Sequence, residues 1–212
     1  MREDLNQKRF IQETYRIVKD EGLEAVSIRR VAQELRCNSA SIYQYFSDLD
    51  ELLCYVSLRF LTEYLQDVAE GFRRSENSLT TYVMIWDRFS LHAFRHPQMV
   101  GKLFFGKHGK AHTEIIRNYY ELFPEDLAGV DASLRSVFLD GSFRRRDYHA
   151  IVRCVEDGYF TVEGAELLNL VVIHMFEGYL DELRDGEAEN AETLRKSFIN
   201  CVEKLVEKYR LK

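Results

Sequence analysis

Side chains that can hydrogen-bond a nucleic acid are concentrated in a short segment near the start of the chain. Arg29 and Arg30 carry guanidinium groups, which bind phosphate oxygens or the acceptor edge of guanine. Ser39, Ser41 and Gln44 follow shortly after them, and their hydroxyl and amide groups suit contacts to phosphates and base edges. This mixture of cationic and neutral polar groups is typical of a surface that binds double-stranded DNA.

Two predicted helices, 28–35 and 39–45, must hold these side chains in place. Ser27 is the expected N-cap of the first helix, and Ser39 and Ser41 supply cap-forming side chains to the second. The apolar residues whose spacing puts them on the inner faces are Val31, Ala32, Leu35, Ile42 and Tyr45. Two short helices joined by a tight turn predict a helix-turn-helix unit.

The segment resembles the N-terminal domain of the tetracycline-repressor (TetR) family of bacterial transcription regulators. The residues that carry the resemblance are Ile11, Val18, Gly22, 25–28 (AVSI), 41–46 (SIYQYF) and 52–53 (LL). It covers about the first quarter of the chain. The resemblance implies an all-α protein with a helix-turn-helix reader domain over residues 1–53 and a helical ligand-sensing and dimerisation domain, the body, over 54–212.

The resemblance also implies roles for individual residues of the reader domain. Ser27 would meet a phosphate, Arg29 a guanine edge or a phosphate, and Tyr43 the DNA backbone. Arg30 would support binding through its charge. The second helix would present its base-facing and phosphate-facing surface through Ser39, Ala40, Ser41, Gln44 and Tyr45.

Two positions depart from the family pattern. Arg36 stands where a glycine is usual, at a turn position with positive φ, and a side chain there costs on the order of 1 kcal/mol. Leu49 stands where a lysine commonly contacts phosphate. We therefore expect one phosphate contact to be missing.

The charge balance leaves a second interpretation open. The chain has a net charge of −6, and residues 1–54 hold eight Lys/Arg against ten Asp/Glu, a net of −2. Asp48, Asp50 and Glu51 at one helix start would repel phosphate, so we expect weak non-specific DNA affinity. The alternative is a protein-interaction module that kept the reader fold and no longer binds DNA.

The body is predicted to be helical throughout, because hydrophobic residues make up 46% of the chain and only two residues are prolines. The predicted helices are about 49–74, 78–96, 97–105, 111–123, 145–157, 162–184 and 191–209, and residues 124–143 are hard to assign. The first of these would span roughly 39 Å at ~1.5 Å per residue. It would connect the reader domain to the body.

The last two helices carry more apolar residues than one core-facing stripe needs. Pairing with a second copy would bury the excess in a four-helix interface, the arrangement that the resemblance also implies. The interface residues predicted on this basis are Leu168, Val172, Met175, Phe176, Phe198, Val202 and Leu205. The alternative is a helical core within one chain.

Aromatic residues are abundant in the middle of the body. Most should pack in the core, but the resemblance favours a cavity there for a small-molecule effector that it does not name. The residues predicted to contact the effector are Tyr82, Trp86, Phe89, His92, Phe104, Asn118 and His174.

Other function classes find no support in the sequence. It lacks the common catalytic and nucleotide-binding motifs, so neither an enzyme nor a cofactor is expected. The pairs His92/His96 and His108/His112 have no completing ligands at metal-site spacing, and the four cysteines are expected to be free thiols. A polar start and the absence of a long apolar run predict a cytoplasmic protein outside the membrane.

Overall fold

The computed structural model describes residues 5–108, 112–139, 142–186 and 190–211, and within these ranges it contains helices and no strand. The α-helices are α1 (Gln7–Glu21), α2 (Ile28–Glu34), α3 (Ser39–Tyr43), α4 (Leu49–Phe60), α5 (Thr62–Arg74), α6 (Ser78–Ala93), α7 (Pro97–Phe105), α8 (His112–Leu122), α9 (Ala132–Leu139), α10 (Phe143–Glu156), α11 (Val162–Arg184) and α12 (Ala191–Tyr209). Two 3₁₀ turns, Leu23–Ala25 and Pro124–Leu127, lie between helices. The predicted all-α fold is confirmed.

Local caps fix where the helices of the reader domain begin. The Ser27 hydroxyl accepts a hydrogen bond from the Arg30 amide, as the sequence predicts. Helix α3 is capped differently from the prediction, because the Asn38 side chain, not Ser39 or Ser41, accepts from the Ser41 amide at 3.0 Å. Each cap satisfies an amide that the helix itself leaves without a partner.

The connection between the reader domain and the body is two helices, not the single helix predicted over 49–74. Helix α4 ends at Phe60 and α5 begins at Thr62. Leu61 between them has φ −87° and ψ 0°, and its amide reaches the carbonyls of both Ser57 and Leu58. This tightened turn interrupts the α-helical pattern.

The body is built around aromatic rings from α6, α7, α10, α11 and α12. Trp86 on α6 lies 5.5 Å, centroid to centroid, from both Phe176 on α11 and Phe198 on α12. Arg195 of α12 forms an ion pair with Asp87 of α6, which holds these helices together at the surface. Fully buried rings at this spacing contribute both burial and favourable edge contacts.

Residues 124–143, which the sequence does not assign clearly, begin with a 3₁₀ turn that covers a charged cluster. Asp126 is almost completely buried and accepts hydrogen bonds from Arg59, Thr62 and Tyr119. The cluster joins α4, α5 and α8 to the Pro124–Leu127 turn. The predicted turns at 107–110 and 184–190 and the boundary at Gly141 fall partly outside the described residues. Within the described residues, no helix is long and apolar enough to cross a membrane.

Candidate nucleic-acid interface and inner cavity

Helix α3 has one buried side and one exposed side. Ile42 is fully buried, and Phe46 just beyond the helix is buried with it. On the other side, Ala40, Tyr43 and Gln44 are exposed, and the Tyr43 side chain is 56% exposed. Because Ile42 anchors the helix from behind, Ala40, Tyr43 and Gln44 are left in solvent, while Ser39 and Ser41, also predicted to face DNA, are half-buried.

Tyr45 has a structural role beside its predicted contact. Its ring lies 5.7 Å from that of Phe10, and its hydroxyl donates to the Leu5 carbonyl at 3.3 Å. The side chain nevertheless remains 38% exposed. Tyr45 therefore ties α1 to the end of α3 while keeping an edge in solvent.

The turn between α2 and α3 has the backbone geometry expected from the family pattern. Arg36 has φ 50°, and no other non-glycine residue in the described ranges has a positive φ. The Cys37 amide bonds the Ala32 carbonyl at 2.9 Å and closes the turn. Arg36 thus adopts a conformation that favours glycine, and its side chain is exposed beside α3.

The three arginines of the reader's motif differ in their charge environment. Arg30 pairs with Glu21 at 3.0 Å and Glu34 at 2.9 Å, so its charge is compensated within the reader domain. Arg29 and Arg36 are exposed and make no ion pair with any of the residues that the structure describes. The positive charge available to a phosphate therefore comes from these two side chains more than from Arg30.

The acidic start of α4 is neutralised by the body. Lys107 lies 3.1 Å from Asp48 and 3.0 Å from Asp50, and Lys102 of α7 lies 2.7 Å from Asp50. His108 is also within hydrogen-bond distance of Asp48. Burial disfavours the Asp48 carboxylate, but the Glu51 amide, Lys107 and His108 outweigh it and lower its pKa to about 2. The repulsion of phosphate expected from these acids is therefore reduced.

Leu49 departs from the family pattern in the way that the sequence indicates. It is the first residue of α4, and its side chain packs against the hydrophobic core. An apolar, half-buried side chain cannot donate to phosphate. The contact that a lysine would make at this place is absent from the surface.

An inner cavity lies in the body and is lined by residues of every helix from α4 to α10. The cavity has a volume of ≈ 90 Å³, which is well above the minimum that admits a single water molecule. The aromatic rings around it include Tyr64, Trp86, Phe89, Phe104, Tyr120 and Phe143. An aromatic lining of this kind suits a small molecule with an apolar part.

Three of the seven residues predicted to contact an effector line this cavity, namely Trp86, Phe89 and Phe104. The other four lie elsewhere. Tyr82 lies behind the wall, with its hydroxyl directed at Asp147, and His92 bonds Asp67 at 2.8 Å.

The last two predicted contacts lie on other surfaces of the body. Asn118 donates to the hydroxyl of Tyr55 on α4, away from the cavity. His174 stands on the exposed side of α11, where Arg144 approaches it at 3.2 Å. Of the predicted contacts, three aromatic residues therefore line the cavity, whereas the polar residues His92, Asn118 and His174 do not.

The polar residues that do line the cavity, Arg146 and Asp147, were missed. Both lie on α10, where Asp147, Ile151 and Cys154 are spaced i, i+4 and i+7 and are all buried. That spacing on a strongly apolar face was the signal in the sequence for a buried carboxyl group. Burial raises the pKa of Asp147 to about 7, against hydrogen bonds from Asn169 and Tyr82.

The helices predicted to form the dimer interface have most of their large apolar residues inside the chain. Five of the seven predicted interface residues are fully buried within the single chain, namely Leu168, Val172, Phe176, Phe198 and Val202. They pack in the aromatic core and offer no surface to a second copy. Met175 and Leu205 are half-buried, and the large apolar side chains that α11 exposes midway are Leu167 and Leu170, at 41% and 39%.

The fold does not bring a set of potential metal ligands together among the described residues. Among the residues that the structure describes, no three His, Cys, Asp or Glu side chains cluster around a common point. The four cysteines are free thiols, and Cys54 and Cys154 are buried. The His112 side chain lies outside what the structure describes.

Comparison with known proteins agrees with this architecture. Residues 10–56 match the family described as bacterial regulatory proteins, tetR family. An HTH-type transcriptional regulator of Staphylococcus aureus is 32% identical over 72 residues, which cover 31% of this chain and 39% of that protein. The match therefore spans well under half of that relative.

Solved structures show the same fold over nearly the whole chain. One is Thermus thermophilus FadR, a TetR-family transcriptional repressor in complex with lauroyl-CoA, at 9% identity and a TM-score of 0.62, covering 98% of this chain and 96% of that one. Another is RolR in complex with resorcinol, at 12% identity and a TM-score of 0.59, covering 95% and 91%. Residues 10–56 therefore resemble the helix-turn-helix segment of the tetR family of bacterial regulatory proteins, and the chain shares the all-helical fold of these solved structures.

Proposed function

We propose that this protein is a sequence-specific DNA-binding transcription regulator, and that it acts as a homodimeric, ligand-responsive repressor of a palindromic operator. The observation that carries the proposal is the exposed polar side of α3, anchored from behind by the buried Ile42. A helix held in this way fits the major groove of B-DNA. Gln44 then meets a base edge, and Tyr43 lies against the backbone.

The charges of the reader domain favour specific contacts over general attraction. Arg29 and Arg36 supply free positive charge, while Arg30 is paired with Glu21 and Glu34. Few phosphates are neutralised, so the slope of log K against log salt is shallow. Hydrogen bonds to bases then provide a larger share of the binding free energy than in a strongly basic reader.

A homodimer would place two readers on successive major grooves. The exposed Leu167 and Leu170 on α11, with the half-buried Met175 and Leu205, form an apolar face that a second copy can cover. A two-fold interface pairs this face with itself. The revised set replaces the five predicted residues that lie inside the chain.

Helix α7 supplies a physical route from the cavity to the reader domain. Phe104 lines the cavity, and Lys102 on the same helix pairs with Asp50 at the start of α4. A ligand that displaces Phe104 would shift α7 and, through this ion pair, the first turn of α4. Such a ligand changes DNA affinity by as much as its own affinity differs between the two arrangements.

The test of DNA recognition is selection of bound sequences from a random DNA library, followed by affinity measurements on the selected site. We expect a palindromic site, and we expect Gln44→Ala to weaken binding about tenfold or more, since a base contact is worth about 1–3 kcal/mol. Gln12→Ala is the matched control, because Gln12 is exposed on α1, away from α3. It should bind as the wild type does.

The protein-interaction module remains the second candidate because the reader domain is net acidic. It predicts that selection enriches no sequence and that Gln44→Ala and Gln12→Ala are indistinguishable on any DNA. Either result rejects DNA-binding regulation. Enrichment of a palindrome that Gln44→Ala no longer binds rejects the interaction module.

A further inference from the structure

The guanidinium of Arg146 lies at the wall of the inner cavity, where no carboxylate of the described residues pairs with it. Its Nη2 atom is buried and has no hydrogen-bond partner, and its Nη1 atom has only a long contact of 3.4 Å to the Phe138 carbonyl. None of the described residues forms an ion pair with it. Buried arginines are nearly always paired, because removing the charge from water costs several kcal/mol.

The neighbouring carboxylate does not fill this role. Asp147 accepts hydrogen bonds from Asn169 at 2.7 Å and Tyr82 at 3.4 Å. Its own pKa is raised by burial, so it holds a proton to higher pH than an ordinary aspartate. Among the described residues, no carboxylate therefore compensates the positive charge of Arg146.

Aromatic rings hold the guanidinium at the cavity wall. It lies 5.1 Å from the ring centroid of Phe104 and 6.0 Å from that of Phe143. Cation–π contacts of this kind attract the cation to the ring face and leave the edge of the guanidinium, with its N–H groups, available. Burial lowers the pKa of Arg146 to about 10, so the group stays charged near neutral pH.

Two further donors line the same cavity. Tyr64 and Tyr120 both border it, and neither hydroxyl forms a hydrogen bond with another residue in the described ranges. Burial raises the pKa of both phenols, so each keeps its proton. One fixed cation and two neutral O–H donors around an aromatic space form a recognition set for an anion attached to a ring.

A solvent-open groove leads towards this set. It is lined by residues around the α5–α6 junction and by α9 and α10, and it shares Ile85, Leu134, Val137 and Ala150 with the wall of the inner cavity. The polar lining of the groove includes His149 and Arg153 together with Glu76, Glu156 and Asp157. The groove therefore gives a polar route to the cavity but no net attraction for an anion, which leaves Arg146 as the cation that recognises it.

We propose that the inner cavity binds a single-ring aromatic carboxylate, with the carboxylate paired to Arg146 and the ring among Trp86, Phe89 and Phe104. A small rotation of the guanidinium turns Nη2 to the ligand, and Tyr64 and Tyr120 donate to the remaining carboxylate lone pairs. The inference rests on the proposed ligand-responsive function and names the chemical class of its effector.

The experiment compares benzoate with benzamide, its neutral isostere, on the full chain without DNA. Quenching of Trp86, the single tryptophan, reports binding. Wild type should bind benzoate about tenfold or more tightly than benzamide, since a hydrogen bond to a charged group is stronger than one to its neutral isostere. Arg146→Gln should reduce the preference to about twofold or less. Arg145→Gln, at the exposed neighbouring position, should keep it.

A second variant separates loss of recognition from loss of folding. Arg146→Met removes the uncompensated charge and keeps the length of the side chain, so its ligand-free Tm should equal or exceed that of the wild type. Benzoate should raise the Tm of the wild type and leave that of Arg146→Met unchanged. Equal affinity for benzoate and benzamide, absence of binding by both, or a preference that persists in Arg146→Gln would overturn the proposal.

Failure of this inference is distinguishable from failure of the proposed function. Selection of DNA sequences uses no ligand, so an enriched palindrome together with no benzoate binding rejects only the aromatic carboxylate. Benzoate binding in a chain that enriches no DNA rejects regulation and keeps the cavity assignment.

Discussion

Replacing Asp147 by asparagine should remove a pH dependence of folding stability that this buried carboxyl group imposes. The side chain is 7% exposed and accepts hydrogen bonds from Asn169 and Tyr82. Burial is the largest influence on its pKa and raises it from 3.8 to about 7. Asparagine has the same shape, keeps an acceptor for the same donors and carries no titrating group.

The direction of this pH dependence follows from the number of protons that the folded and unfolded chains bind. Below about pH 4, Asp147 is protonated in both the folded and the unfolded chain and contributes no difference. Between pH 4 and 7 the unfolded chain has lost this proton while the folded chain retains it, so stability falls as pH rises. At about 1.4 kcal/mol per pKa unit, the full loss is about 4 kcal/mol, and it is complete above pH 7.

Urea unfolding of wild type and Asp147→Asn at several values between pH 4 and 8 measures the effect. Subtracting the two curves removes the titration of all other groups, and the variant should gain on the wild type by about 4 kcal/mol across this range. Asp185→Asn, at an exposed position, should follow the wild type at each pH. If the difference between Asp147→Asn and wild type does not change with pH, the carboxyl group is ionised in the folded chain and the reasoning from burial fails.

Three other substitutions test the surface and the core. Leu49→Lys should tighten binding to operator and random DNA about equally and steepen the salt slope by about one; an unchanged slope would place residue 49 away from phosphate. Leu167→Glu should shift the sedimentation of a dimer towards monomer with little change in Tm, because the side chain is already 41% exposed; a persistent dimer would place the interface elsewhere. Asp126→Ala should lower the free energy of unfolding in urea by about 3 kcal/mol, because it leaves Arg59 without its carboxylate; a loss below about 1 kcal/mol would mean that water replaces the pair.

The reader domain was predictable from the sequence because its determinants are local. The cap at Ser27, the buried spacing of Val31 and Ile42, and the glycine-type turn at Arg36 each depend on residues a few positions apart. For α3 the sequence predicts a cap from Ser39 or Ser41, whereas the observed cap is Asn38, one residue before Ser39. Such local preferences survive folding when tertiary packing supports them.

The helices of the body were predictable from the sequence, but the polar contacts of its side chains were less so. The boundaries of α7, α11 and α12 agree with the prediction because Pro97, Thr161 and Asn190 mark where they begin. The polar contacts do not agree, because partners far apart in sequence decide them. His92 is held by Asp67 on a different helix, and no periodicity within either helix indicates that pairing.

Five residues of the predicted dimer interface are buried inside the chain, for a related reason. Excess apolar surface on a helix shows that more than one side is buried, but not whether the cover comes from the same chain. For Phe198 the cover is Trp86, Phe94 and Phe176 of the same chain. Only the burial of each side chain in the folded chain separates an inner helix face from an outer one.

The net charge of the reader domain does not by itself give the charge presented to DNA, because cationic residues of the body pair with its acidic residues. Counted along the sequence, Asp48 and Asp50 make the domain acidic, yet their compensating charges, Lys102 and Lys107, belong to the body. The electrostatic surface offered to DNA therefore depends on where α7 and the residues after it lie. Phe104, between these two lysines in sequence, lines the inner cavity. A ligand there that moves α7 would loosen the lysines from α4 and expose negative charge beside the DNA backbone, so displacement of the reader and repulsion of phosphate would act in the same direction.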